Sequence, residues 1–168
     1  MVSYLSKKIV YLSRLAYSWG GSLVELSSKE FYNLIVNHSG KFPDLDQGPN
    51  HETAVSYDQK IIFYQPEVIK DLPILIHEMG HVFSMREDVW NQDEVTFFGW
   101  EFLIAKKLKI LDEWYKSNAD YGLGSSYPEG TYFGNLNPKE KKEFLNFSID
   151  LGKKYKNISQ DLKPLTVR

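Results

Sequence analysis

Between residues 4 and 18, Tyr4, Leu5, Ile9, Leu12, Leu15 and Ala16 recur at intervals close to 3.6, which predicts an amphipathic helix. Gly20-Gly21 stops it. A second helix is expected from Ser27, where Ser27 and Glu30 form a capping-box pattern, burying Phe31, Leu34 and Ile35 and ending at Gly40. The stretch KFPDLDQGPN, residues 41 to 50, is dense in turn formers and reads as a loop.

From Thr53 to Tyr64 the pattern changes to short β-branched and aromatic runs on either side of Asp58-Gln59, which predicts a β-hairpin. Pro66 breaks the chain, and Asp71 caps a helix that tolerates Pro73 in its first turn, where a missing N–H costs little. A long amphipathic helix is expected from about Asn91 or Asp93 to Tyr115, carrying Val95, Phe98, Phe102, Ala105 and Leu108 at helical spacing. The segment from Asn118 to Asn137 is a long aromatic loop of a kind that often lines sites. Asn137-Pro138 opens a last helix, fading near Ile158, with Phe144, Phe147 and Leu151 on one side and lysines on the other. These elements define an α+β fold: a small twisted sheet including residues 53 to 65, packed on the helix after Asp71, with flanking helices at both ends. We expect one domain over residues 1–168, with N-terminal helices in 1–40, a central core in about 52–116, and a loop and helix in 117–158.

The 168 residues carry 20 basic and 22 acidic side chains, a formal net charge of -2. That balance supplies no basic field, so neither nucleic acid nor an anionic membrane is expected as a partner. At this length about 68–70% of the unfolded surface is buried on folding, enough for a core without a structural metal, so any metal would be functional. The absence of cysteine excludes disulfides, thiolate ligands and a thiol nucleophile, and fits a reducing cytosol. Lys7, Lys8 and Arg14 interrupt the N-terminal helix, which therefore lacks the apolar run of a signal peptide, and a cytoplasmic location is the expectation. No window reaches the roughly 20 apolar residues of a membrane span.

Directly after the apolar run Leu72 to Ile76 comes His77-Glu78-Met79-Gly80-His81, an HExxH sequence. Residues four apart lie one above the other on a helix, so both imidazoles can reach one ion at about 2.0–2.1 Å. Glu78 projects differently and is left to act as a base, and Gly80 leaves room for another backbone or a substrate to approach. With four histidines in the chain, a chance match is on the order of 0.7%. A catalytic zinc ordinarily takes three protein ligands, and no later histidine is near enough in sequence, so a carboxylate is expected to complete the set. Glu101, in the apolar setting FFGWEFLIA, is the first choice, because a lone carboxylate there is costly unless paired or metal-bound. Glu94 is the rival; it lies on nearly the same helix face, about 10 Å away along the axis, and equally suits a helix N-terminus.

With these residues the chain resembles the gluzincin metallopeptidases, in which HExxH on one helix is followed by a glutamate ligand on the next. More narrowly, residues 52 to 109, with the hairpin, the motif and GWEFLIAKKL, resemble small phage- or plasmid-borne metallopeptidases related to the bacterial immunity-repressor proteases. Ile104 and Ala105 stand where such relatives often carry alanine and then asparagine or aspartate. The resemblance implies a zincin-like domain with one zinc ion on His77, His81 and Glu101, and Glu78 as general base for attack of water on a peptide carbonyl. It also implies that the strand before the motif helix, Ile61 to Tyr64, borders the cleft and pairs with an extended protein or peptide substrate.

An oxyanion donor could come from His51, Tyr57, Tyr121, Tyr127 or Tyr132, and the sequence does not choose among them. His51 reads first as a loop histidine and His38 as a helix C-terminal residue, while Trp90, Trp100 and Trp114 read as core. A competing reading is a zinc-binding interaction module that retains the scaffold without turnover; the intact Glu78 weighs against it. The substrate and the oligomeric state are not legible in the residues.

Overall fold

The computed structural model describes residues 4–37, 54–57, 60–86, 95–123 and 127–155. The architecture is α+β, as the hydrophobic pattern predicts. The chain divides into two compact units, one of residues 1–90 with 165–168, the other of residues 91–164.

In the first unit, helix α1 (Tyr4–Ser18) buries Leu12, Leu15 and Ala16. It ends where Gly20 turns to φ +84°, with Gly20 N–H donating to the Tyr17 carbonyl and Gly21 N–H to that of Ala16. Only a residue without Cβ enters this left-handed turn cheaply. Next comes strand β1 (Ser22–Glu25), which the pattern does not predict: its two inner residues are both half-buried and its two ends exposed, so it carries no period-two alternation. Helix α2 (Ser28–Asn37) carries the expected capping box: Ser27 N–H donates to Glu30 Oε2 at 2.9 Å, and Glu30 N–H to Ser27 Oγ at 3.4 Å. Its expected terminus at Gly40 lies outside the described residues.

Strands β2 (Ala54–Tyr57) and β3 (Ile61–Tyr64) form the expected antiparallel pair, with Ala54 opposite Tyr64 and Tyr57 opposite Ile61. The sheet order is β1-β3-β2, and β1 lies parallel to β3. This corrects the expectation for Ile61 to Tyr64. That strand is central, its main chain is paired on both sides, and it cannot accept an extended substrate; the sheet's edges are β1 and β2. Period-two alternation sorts the side chains. Val55 and Phe63 pack with Phe31 and Ile35 of α2 on one face, while Ala54, Ile62 and Tyr64 are buried on the other.

A 3-10 turn (Pro66–Lys70) leads into α3 (Leu72–Arg86), which packs on β2 and β3 and touches α1. The Asp71 carboxylate accepts the Ile74 N–H, capping α3 as predicted, and its partial burial raises its pKa.

In the second unit, α4 (Val95–Leu108) packs along α6 (Pro138–Tyr155). The single helix expected to run to Tyr115 is in fact two. Lys109 adopts φ +57°, Ile110 N–H donates to the Ala105 carbonyl and Lys109 N–H to that of Lys106, and α5 (Leu111–Ser117) starts afresh. A lysine occupies the left-handed position usually held by glycine, so composition carried no stop signal there. Asn137 caps α6 through its Oδ1, which accepts N–H groups of Lys139 and Glu140. Phe144, Leu145 and Ser148 are buried, but Phe147 is 51% exposed, correcting its expected place on the inner face. The buried arc turns from Phe144 through Ser148 to Leu145 at 100° per residue, and Phe147 falls about 60° outside its Phe144 edge. Phe98 lies at the centre of an aromatic cluster with Trp114, Tyr121, Phe133 and Phe144, at centroid distances of 4.4 to 5.4 Å. Among the described residues no helix is long and apolar enough to cross a membrane.

Candidate metal centre

Within the first unit, the buried residues described on α3 are Leu72, Pro73, Leu75, Ile76, Met79 and Gly80. Seating those residues on the sheet rotates His77, Glu78 and His81 to positions that are only partly buried, where solvent reaches them. The two imidazoles sit one turn apart with ring centroids separated by 5.4 Å and planes at 88°. One donor atom from each of His77, Glu78 and His81 lies within 4.8 Å of the others; the HExxH spacing predicts the pairing of the two imidazoles, whereas Glu78, expected to project differently, lies with them.

These donors suit a metal ion. In a tetrahedral set two nitrogens bound at 2.0–2.1 Å lie about 3.4 Å apart, so the side chains close in on an ion as they bind it. Imidazole with carboxylate is a donor combination that suits zinc among several divalent metals, and a partly buried position allows both entry of the ion and access for a reacting molecule. Among the described residues this is the group able to hold a metal. On the sheet, burial pushes the Tyr64 phenol pKa up, and the Glu25 carboxylate, which accepts its hydrogen bond, raises it further.

Glu101 belongs to the second unit. It is fully buried on α4, and Trp114 Nε1–H of α5 donates to its Oε2 at 3.3 Å. The apolar setting FFGWEFLIA predicts a buried carboxylate in need of partners. Trp114, expected as core, is core in its indole ring, but its N–H serves Glu101, a pairing that no spacing rule reveals because the helix break at Lys109 lies between them. Trp100 is buried as expected. Tyr121 packs against Phe98, Tyr127 meets Phe144 edge-on, and Tyr132 is 43% exposed. His38, His51, Trp90 and Glu94 fall outside the described residues, as does the side chain of Tyr57.

No protein-family model, curated protein or solved structure matches the chain. The functional reading therefore rests on the chemistry of this site.

Proposed function

We propose that this protein is a zinc-dependent metallopeptidase that hydrolyses peptide bonds in a protein or peptide substrate. The observation that carries the reading is the convergence of the His77, Glu78 and His81 donor atoms on one partly exposed stretch of α3. His77 and His81 would hold the ion through their imidazole nitrogens, and a bound zinc would supply Lewis-acid chemistry toward a carbonyl and a more acidic water. Glu78 would serve as the base that accepts a proton from that water and as the acid that returns it to the leaving amine. The sequence assigns the third protein ligand to Glu101, with Glu94 as the rival. Nucleic acid and membrane stand outside the reading because the charge balance offers them nothing, and a cytoplasmic setting accords with a chain without cysteine.

The test has two stages. Elemental mass spectrometry of protein purified without added metal or chelator is expected to find about one zinc per chain. Glu78→Gln is then expected to retain that zinc and lose hydrolysis of a peptide library, because the base is removed and the ligands stay. Turnover retained by Glu78→Gln sinks the mechanism. Zinc bound by a wild-type protein that turns over nothing favours the interaction module, and no metal bound at all makes the motif a matter of helix packing.

A further inference from the structure

The segment between α5 and α6 holds a second feature that the metal centre does not use. Its two limbs are laddered together: Gly122 bridges Tyr132, Leu123 N–H donates to the Thr131 carbonyl at 3.1 Å, and Phe133 N–H to that of Tyr121 at 2.8 Å. At the tip, Thr131 donates to the Pro128 carbonyl from both N–H and Oγ, and Gly130 takes φ +79°. Leu123 and Phe133 anchor the arm to the core at 2% and 0% exposure. The described parts of the segment, residues 118–123 and 127–137, are therefore braced against each other by their own backbone hydrogen bonds.

Against this arm lies an open cleft of about 410 Å³, with Leu123, Tyr127, Pro128, Glu129 and Tyr132 in its walls. Because the cleft is open, it offers a wall for a side chain and does not enclose a small molecule. Two phenol rings and a proline supply flat apolar walls, and Glu129 supplies the charge. From Asn118 to Asn137 the chain carries Asp120 and Glu129 but no lysine or arginine, so the arm is acidic as well as aromatic. A cation attached to a planar apolar body is the complement of such a surface. Guanidinium fits it better than ammonium, since it stacks on an aromatic face while its fork of N–H donors meets a carboxylate.

We propose that this cleft binds an arginine side chain presented on an extended segment of a partner protein, with Glu129 pairing the guanidinium and the Tyr132 ring stacking on it. The proposal stands independently of the metal-centre reading. Weak affinity is expected, with Kd on the order of 1 mM for a short peptide, because the contacts are solvent-exposed.

The experiment follows backbone amide shifts of the whole protein by NMR during titration with capped Gly-Arg-Gly, and with Gly-Leu-Gly and Gly-Glu-Gly as comparisons. The arginine peptide is expected to give saturable shifts at Leu123, Thr131 and Tyr132 that weaken with added salt. Glu129→Gln and Tyr132→Ala, both at exposed positions, are each expected to weaken binding about two- to fivefold without moving the melting temperature. Absence of shifts with the arginine peptide at about 20 mM overturns the proposal. Equal binding by the leucine peptide or by the Glu129→Gln variant overturns it too, since either outcome describes an apolar groove.

Discussion

Gly99 is a position in the second unit where a single added carbon should matter. A Cβ there would stand 2.6 Å from Ile149 N, 2.7 Å from Ile149 Cγ1 and 2.9 Å from Ser148 Oγ. The Gly99 N–H donates to that same Ser148 Oγ at 2.6 Å in a buried setting, so α4 and α6 meet backbone to backbone at this point. Helix propensity alone would favour alanine by about 1 kcal/mol. Against that, forcing the helices apart costs about 1–3 kcal/mol, and loosening a buried hydrogen bond about 1–3 kcal/mol more. Gly99→Ala is therefore expected to destabilise the protein by about 3 kcal/mol net, a fall in Tm of about 6–12 °C for a chain of this size. Urea denaturation followed by circular dichroism measures it directly. Adding Ser148→Ala should not rescue the variant, because the nearest obstacle is the Ile149 backbone nitrogen and not the hydroxyl. A Gly99→Ala protein as stable as the parent, or more stable, would show that propensity dominates and that the helices do not approach this closely.

Trp114→Phe keeps most of the ring but removes the N–H that Glu101 accepts, so a loss of about 1–3 kcal/mol is expected in the same denaturation assay, and an unchanged midpoint would show the hydrogen bond to be dispensable. The hydroxyl and then the backbone N–H of Ser27 hold the Glu30 carboxyl below its ordinary pKa. Because the folded value is the lower one, this contribution is present above the unfolded pKa and is lost as pH falls through the folded pKa. Ser27→Ala is accordingly expected to shrink the acid dependence of the denaturation midpoint between neutral pH and about pH 3, and an unaltered pH profile refutes the coupling. For the third ligand, Glu101→Ala is expected to lower zinc occupancy well below that of Glu94→Ala, measured by metal analysis of each purified variant. The reverse order hands the role to Glu94.

Local signals were legible wherever one turn of chain contains its own physics. The Ser27–Glu30 box, the Asn137 cap, the Asp71 cap and the Pro73 position each need only neighbours within about four residues, and each is where the pattern put it. His77 and His81 belong to the same class, because a separation of four on any helix brings two side chains together. The hairpin was readable for a similar reason, since β2 and β3 adjoin in sequence.

The sequence by itself thus determined the α+β class, most helix starts, and the pairing of His77 with His81, while the presence of a Glu78 oxygen beside them came from the structure. Tertiary structure alone decided that β3 is central, since its second neighbour, β1, comes from far earlier in the chain and pairs through a parallel register that no local alternation announces. It alone ended α4 at Lys109, where hydrogen bonds to Ala105 and Lys106 override a side chain that favours helix continuation. And it alone gave the Glu101 carboxylate its indole partner and turned Phe147 outward, because both depend on which face of one helix meets another. Short-range geometry repeats wherever the same residues recur, whereas long-range pairing is selected by the free energy of the whole assembled core.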